Sequence, residues 1–151
     1  MISFKKIVLT TDLSDNANVA APYAVELAKK WGGQISLVHV VEDVVYYANP
    51  AATEGIVPVE WMVANRKDRE MQLKLRAEEL AKKDGVTVKD VLLQGHAANA
   101  VVDYLKKEKA DCVVIATHGR TGLSHLIMGS VAERIVRLSP CPVLSIRPPQ
   151  K

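Results

Sequence analysis

Several features that would quickly assign a chain to a class are missing here, and each absence excludes something. The two cysteines, Cys112 inside an apolar run and Cys141 between two prolines, form neither a CxxC pair nor a set spaced for a metal. That argues against a redox or zinc role and for buried small hydrophobes. No stretch reaches the roughly 18 uninterrupted apolar residues of a membrane span. The opening MISFKKIVLT places a short apolar run beside charge but has no long apolar core or small-residue cleavage site, so it does not read as a secretion signal, and the expected location is the cytoplasm. Charge of one sign is also lacking. The 20 basic and 17 acidic residues leave a formal charge of +3, too small and too dispersed to imply nucleic acid or an anionic membrane as partner. There is no GxxxxGK of a P-loop, no GxGxxG after the first strand, no GxSxG elbow, no internal repeat and no low-complexity tract. A nucleotide site, if there is one, must be of another type.

What the chain does have is a regular alternation. With 151 residues, 48% of them hydrophobic, it is expected to bury one core as a single domain over residues 1–151. Lys5 to Thr10 is a β-rich run. After Asp12 and Ser14 the pattern changes to apolar residues at helical spacing, Ala20, Ala24, Leu27 and Trp31, which Gly32 and Gly33 end. Ser14 or Asp12 can cap this helix, and Pro22 means that it either kinks or begins there. A second strand spans Gln34 to Val41. Asn49, Pro50, Gly55 and Pro58 then mark a loop, which also carries Tyr46 and Tyr47, before a long helix from Glu60 to Lys83. The remaining expected elements are a strand from Val86 to Gln94, a helix from Ala98 to Lys107, a strand from Asp111 to Thr117, a helix from Gly129 to Leu138, and a last strand from Val143 to Arg147.

Apolar strand runs that do not alternate with polar residues indicate an α/β domain with a parallel sheet covered on both faces. Five strands and four helices wind most naturally in the order 3-2-1-4-5, a doubly wound arrangement. Strands one and four are then neighbours, and ligands in such sheets bind beyond the carboxyl ends where the order reverses. Thr10, Thr11 and Asp12 would share that crevice with Ala116, Thr117, His118 and Gly119.

The segment ATHGRTGLSHLIMGS, ending at Ser130, supplies glycines at Gly119, Gly122 and Gly129 ahead of the last helix. Backbone N–H groups at a helix start suit a phosphate, Ser130 adds a hydroxyl, and Arg120, Thr121 and Ser124 offer further donors. The competing reading is a turn followed by a helix cap.

That segment resembles the signature of the universal stress protein family, in which glycine, two residues, glycine, nine residues and glycine with serine or threonine surround the phosphates and ribose of ATP. Gly119, the nine residues from Arg120 to Met128, and Gly129-Ser130 match; Ala116 stands where the first glycine falls. KKIVLTTDLSDNA, ISLVHVVE and SVAERIVRLSPCPVLSIR resemble the family's first strand and turn, second strand, and final helix and strand, with Thr10 where many relatives have proline. The resemblance implies a Rossmann-like fold of the adenine nucleotide alpha hydrolase type. It further implies that Asp12 contacts the nucleoside, that the backbone of Val40 reads the adenine edge, and that Gly119, Gly129, Ser130 and Val131 hold the phosphates of ATP with magnesium or manganese. It implies a homodimer as well, and the last strand, Val143 to Arg147, is an apolar sheet edge suited to pair with another chain.

Catalysis is not expected. His118 is the obvious titratable group of the crevice, His125 makes no metal pair by itself, and His39 and His96 look like strand-end or loop residues; no HxGH or SGGxDS motif marks a related nucleotide enzyme. The favoured reading is an ATP-binding stress-response module that signals to a protein partner, and the alternative is a dimeric interaction module of the same fold without nucleotide. In the long helix, Trp61, Met62, Met71, Leu75 and Leu80 read as a core-packing stripe, and the run from Arg66 through Lys67, Asp68 and Arg69 to Glu70 reads as a solvated face, supported by Glu70 and Lys74 four apart.

Overall fold

In the computed structural model, which describes residues 1–42, 59–118 and 128–149, the elements follow one another as β1 (Lys6–Thr10), α1 (Ala21–Trp31), β2 (Gln34–Val41), α2 (Val59–Asp84), β3 (Thr87–Gln94), α3 (Ala97–Glu108), β4 (Cys112–Ala116), α4 (Ser130–Leu138) and β5 (Val143–Ile146), with a 3-10 helix at Asn16–Ala20. The strands form one sheet in the order β3-β2-β1-β4-β5. All four pairings are parallel. The predicted topology is therefore the observed one.

Side chains on successive residues of a strand point to opposite faces, so each central strand feeds two cores. On one face Ile7, Leu9, Ile35 and Leu37 pack with Ala24 and Ala28 of α1 and Leu73 and Ala77 of α2. On the other, Val8, Val38, Val113 and Ile115 meet Ala98, Val101 and Leu105 of α3 and Ala132 and Ile135 of α4. Burial on both faces explains why these strands read as continuous apolar runs. Each fully buried Leu or Ile contributes roughly 1.5–3 kcal/mol relative to exposure.

Two local devices close the sheet at its amino end. The Asp111 carboxylate accepts from the backbone N–H groups of both Lys5 and Lys6, each at 2.8 Å, which clips β4 to β1 and leaves Asp111 ahead of the strand it was predicted to open. Gly33 sits directly against β1: a Cβ there would lie 2.6 Å from the Phe4 carbonyl oxygen and 2.8 Å from that of Lys5. Only glycine permits so tight a turn into β2.

Three expectations are corrected. Of the two readings of Pro22 the helix begins there, with α1 starting at Ala21 after a 3-10 turn, but the expected cap is overturned: neither Ser14 nor Asp12, nor any other side chain, caps it. Proline there fits, because its missing N–H is one that a helix start leaves unbonded anyway. The apolar stripe of α2 does not all face the core: Leu80 does, but Trp61, Met62, Met71 and Leu75 are exposed, Met71 to 66% and Leu75 to 59%. Leu73 and Ala77, about half a turn away around the helix, take the buried face instead. The Arg66–Glu70 run is mostly solvated, yet Arg69 turns inward.

Candidate functional site

A cavity of about 530 Å³ opens beyond the carboxyl ends of β1, β2 and β4, within the range of about 300–1,000 Å³ usual for small-molecule sites. It lies at the point where the strand order reverses. Thr10, Thr11 and Asp12 enter it from β1, Val40 from β2, Ala116, Thr117 and His118 from β4, and Gly129, Ser130 and Val131 from the start of α4. Ten of the twelve predicted site residues thus line one space. The other two, Gly119 and Arg120, lie outside the described residues, as do Thr121, Gly122, Ser124, His125 and the loop with Tyr46, Tyr47 and Pro50.

The turn after β1 is held by its own side chains. Thr11 donates its backbone N–H to the Val38 carbonyl at 2.9 Å, and its hydroxyl oxygen accepts from the N–H of Leu13 at 3.0 Å. Asp12 Oδ1 accepts from the N–H of Ser14 at 2.9 Å and from the Ser14 hydroxyl. The Ser14 oxygen in turn accepts from the N–H of Ala17 at 3.4 Å. Asp12 and Ser14 therefore stabilise the turn and the 3-10 helix, and neither caps α1 as expected. Asp12 is half-buried and lines the cavity.

Along β2, peptide groups alternate between its two neighbours. Val38 bonds towards the β1 side through Thr11, and Val41 towards the β3 side through Gly95, whose N–H it accepts at 3.0 Å. Val40 shares the orientation of Val38, but β1 ends at Thr10, which pairs with Val38. The N–H and C=O of Val40 therefore point into the space that β1 has vacated. A planar base with a donor and an acceptor on one edge suits that arrangement.

At the opposite wall, α4 begins without a side-chain cap. The Gly129 N–H is taken up by the Thr117 carbonyl at 2.8 Å, and the first intrahelical bond runs from the Glu133 N–H to the Gly129 carbonyl at 2.9 Å. Helix geometry leaves the N–H groups of Ser130, Val131 and Ala132 as the orphan donors, at the positive end of the helix dipole. Gly129 contributes by its missing side chain rather than by its N–H. Beside it, His118 Nδ1 lies 2.8 Å from the Thr117 hydroxyl, while the buried Nε2 has no hydrogen-bond partner among the described residues. A buried polar nitrogen left without a partner is uncommon and suits a ligand acceptor or donor.

Four polar residues that the sequence reading did not assign to the site also line the cavity: His39, Glu42, Asn65 and Arg69. His39 lies near the carboxyl end of β2, the strand-end placement of the two expected, 8% exposed, with Nδ1 2.9 Å from the Thr11 carbonyl oxygen. His96 is the N-cap residue of α3 and lies outside the cavity lining. Asn65 and Arg69 of α2 also line the cavity, Arg69 Nε donating to Asn65 Oδ1 at 3.4 Å. Their spacing of four places them on one helix face, a signal present in the sequence but indistinguishable there from a solvated pair. Among the described residues, no group of three or more His, Cys, Asp and Glu side chains could hold a metal ion, and no helix is long and apolar enough to cross a membrane.

Comparison with known proteins adds an independent line. The model of the universal stress protein family matches residues 3–147. The universal stress protein MJ0531 of Methanocaldococcus jannaschii is 34% identical over 150 residues, covering 98% of this chain and 85% of that one. A universal stress protein of Thermus aquaticus, named from the QAH/OAS sulfhydrylase 3' region, is 36% identical over 146 residues, covering 95% and 99%. Among solved structures, universal stress protein UspA from Lactobacillus plantarum superposes with a TM-score of 0.81 at 24% identity, covering 97% of this chain and 100% of that one. The same fold occurs in a universal stress protein from Archaeoglobus fulgidus in complex with dAMP, with a TM-score of 0.66, 23% identity and coverage of 97% and 99%. It occurs again in a universal stress protein in complex with cAMP, with a TM-score of 0.67, 18% identity and coverage of 96% and 98%.

Proposed function

The chain belongs to the universal stress protein family, and from that premise we propose that it binds ATP in the cavity beyond β1, β2 and β4 and acts as a nucleotide-dependent module of the stress response. The observation that carries this reading is a convergence. One cavity brings together the Asp12 carboxylate, the vacated backbone edge at Val40 and the uncapped start of α4 at Gly129, Ser130 and Val131. The carboxylate is an acceptor for ribose hydroxyls, the strand edge for adenine, and the helix start for phosphates. Adenine nucleotides in two proteins of the same fold, dAMP in one and cAMP in the other, support the class of ligand.

The donor set fits a nucleotide, and magnesium or manganese would be carried on the phosphates, neutralising their charge. Gly119 and Arg120 belong to the proposed phosphate loop by their place in the motif. The proposed setting is the cytoplasm, with a homodimer formed through β5 and with binding and signalling to a protein partner, rather than turnover, as the role. A second reading, a dimeric interaction module without nucleotide, is favoured by one observation: Ala116 carries a methyl group into the cavity where the family motif has glycine.

The test is to denature the purified protein, identify any released nucleotide by chromatography and mass spectrometry, and titrate the nucleotide-free protein with Mg-ATP. Saturable binding that weakens in Asp12→Ala and Gly129→Ala supports the nucleotide reading. No released nucleotide and no saturation up to millimolar Mg-ATP removes it and leaves the interaction module.

A further inference from the structure

Two helical turns beyond Arg69, α2 presents Arg76, whose guanidinium reaches across to the turn that carries Asp12. Nη1 donates to Asn18 Oδ1 at 2.7 Å and to the Ser14 carbonyl at 3.4 Å, and Nη2 donates to the Leu13 carbonyl. Three acceptors within six residues of chain are engaged by one fork. The contacts are shared between two nitrogens of one rigid, planar fork, whereas a lysine ammonium would have to make all of them from a single nitrogen.

The turn needs such an anchor. Leu13 has φ +66°, in the left-handed region that residues with a Cβ rarely enter. A conformation of this kind persists only where the surroundings over-determine it. Leu13 is buried, so its carbonyl requires a partner, and Arg76 is the partner. Immediately before it stands Asp12, and immediately after it Ser14, which donates to the Asp12 carboxylate through both its N–H and its hydroxyl. The arginine holds the carbonyl side of Leu13 and Ser14 while the carboxylate holds the N–H and hydroxyl side of Ser14. One short turn is thus gripped from two directions.

We infer that Arg76 is a positioning residue for Asp12, fixing the turn in the shape that presents the carboxylate to the ligand and tying the long helix α2 to the site. Arg76 belongs to α2, on the α1 side of the sheet, and acts only through the turn. The ligand consequence rests on the nucleotide reading above; the hold on the turn does not.

Two measurements on the full chain test it. In the ligand-free protein, amide hydrogen exchange at Leu13 and Ser14 is expected to rise at least about tenfold in Arg76→Met, which keeps the aliphatic stem, with Ile7, Val8 and Leu9 unchanged. No rise at Leu13 and Ser14, or an equal rise throughout the sheet, overturns the inference. In a double-mutant cycle, Arg76→Met weakens Mg-ATP binding about tenfold in the wild-type background but less than about twofold when Asp12→Asn is already present. An equal effect in both backgrounds overturns the action through Asp12. If wild type does not bind Mg-ATP, the nucleotide reading falls, and the exchange rates still decide whether Arg76 holds the turn. Should Arg76→Met fail to fold, Arg76→Lys, which keeps the charge without the fork, is read by the same measurements and is expected to show intermediate effects.

Discussion

His39 Nδ1 lies 2.9 Å from the carbonyl oxygen of Thr11, and the residue before His39 accepts the N–H of the same threonine. Consecutive residues of β2 therefore hold both backbone groups of Thr11, one residue ahead of Asp12. A carbonyl accepts only from a protonated nitrogen, so Nδ1 carries the proton. Replacing His39 by Leu leaves a part-buried carbonyl without this donor, at a cost of about 1–3 kcal/mol. Thermal unfolding is expected to fall by several degrees, since about 1 kcal/mol corresponds to roughly 2–4 °C for a chain of this length. An unchanged Tm would show that the carbonyl finds another donor.

At Gly129 the backbone is ordinary, with φ −57°, so alanine can adopt it. What matters is space: a Cβ would sit 3.1 Å from the Thr117 carbonyl oxygen, the same oxygen that accepts the Gly129 N–H. Gly129→Ala must therefore push the end of β4 and the start of α4 apart by a few tenths of an ångström. Calorimetry is expected to show Mg-ATP affinity down about tenfold, roughly 1.4 kcal/mol, with Tm within a few degrees of wild type. Ser130→Ala, losing one hydroxyl donor, should cost several-fold. Equal affinity in both variants would remove phosphate binding from this helix start.

Ala116→Gly returns the first glycine of the family motif at the end of β4. Ala116 lines the cavity, half-buried, and its methyl occupies room near the proposed sugar position. Affinity for Mg-ATP is expected to stay similar or tighten in the glycine variant. A marked loss in the same titration would contradict this account of the site.

The sheet order was legible because buried parallel strands write themselves as apolar runs such as KIVLT and CVVIA, with helices between them. The crevice followed from the reversal of strand order, so Asp12 could be brought together with Ala116, Thr117 and His118 before any contact was known, while Gly129 came with the family motif. The start of α1 was legible only as one of two alternatives at Pro22, and its cap was not, since Asp12 and Ser14 both carry cap chemistry and only the folded chain decides that they serve a turn. Nor was the phase of α2. Met71 and Leu75 recur at helical spacing as well as Leu73 and Ala77 do, and periodicity alone does not say which stripe meets the sheet. Arg69 and Arg76 were lost for a related reason: an arginine with three acceptors and one in solvent are the same letter.

Burial pushes the Cys112 thiol from an ordinary value of 9.0 up to about 12, with the charges of Cys141 and Asp111 adding to the effect. Between those two values the unfolded chain loses its thiol proton and the folded chain keeps it. The unfolded state then binds fewer protons, so stability falls as pH rises through this window and is fully present below it. Cys141 is raised too, mainly by burial, with the Ser139 hydrogen bond opposing. Urea midpoints measured at pH 8 and above pH 10 are expected to drop more for wild type than for Cys112→Ala. Parallel declines would mean that Cys112 ionises as freely in the fold as out of it.

Pairing through β5 has a geometric requirement that the sheet meets. β5 stands at the edge of the order β3-β2-β1-β4-β5, with Leu144 exposed to 38% and Val136 and Leu138 of α4 also exposed. An uncovered edge with apolar side chains is a template for a second strand, and two copies can meet there isologously about a two-fold axis. Pro142 ahead of the strand and Pro148 and Pro149 after it confine that pairing to a short window, because proline cannot donate to a ladder. Light scattering of wild type at micromolar concentration is expected to give twice the mass of one chain. Leu144→Glu places a charge in the surface that pairing would desolvate, and it should return the single-chain mass while leaving Mg-ATP affinity unchanged, since Leu144 does not line the cavity. A single-chain mass for wild type removes the dimer. A dimer that survives Leu144→Glu moves the interface away from β5, and the exposed Met71 and Leu75 of α2 become the next apolar surface to substitute.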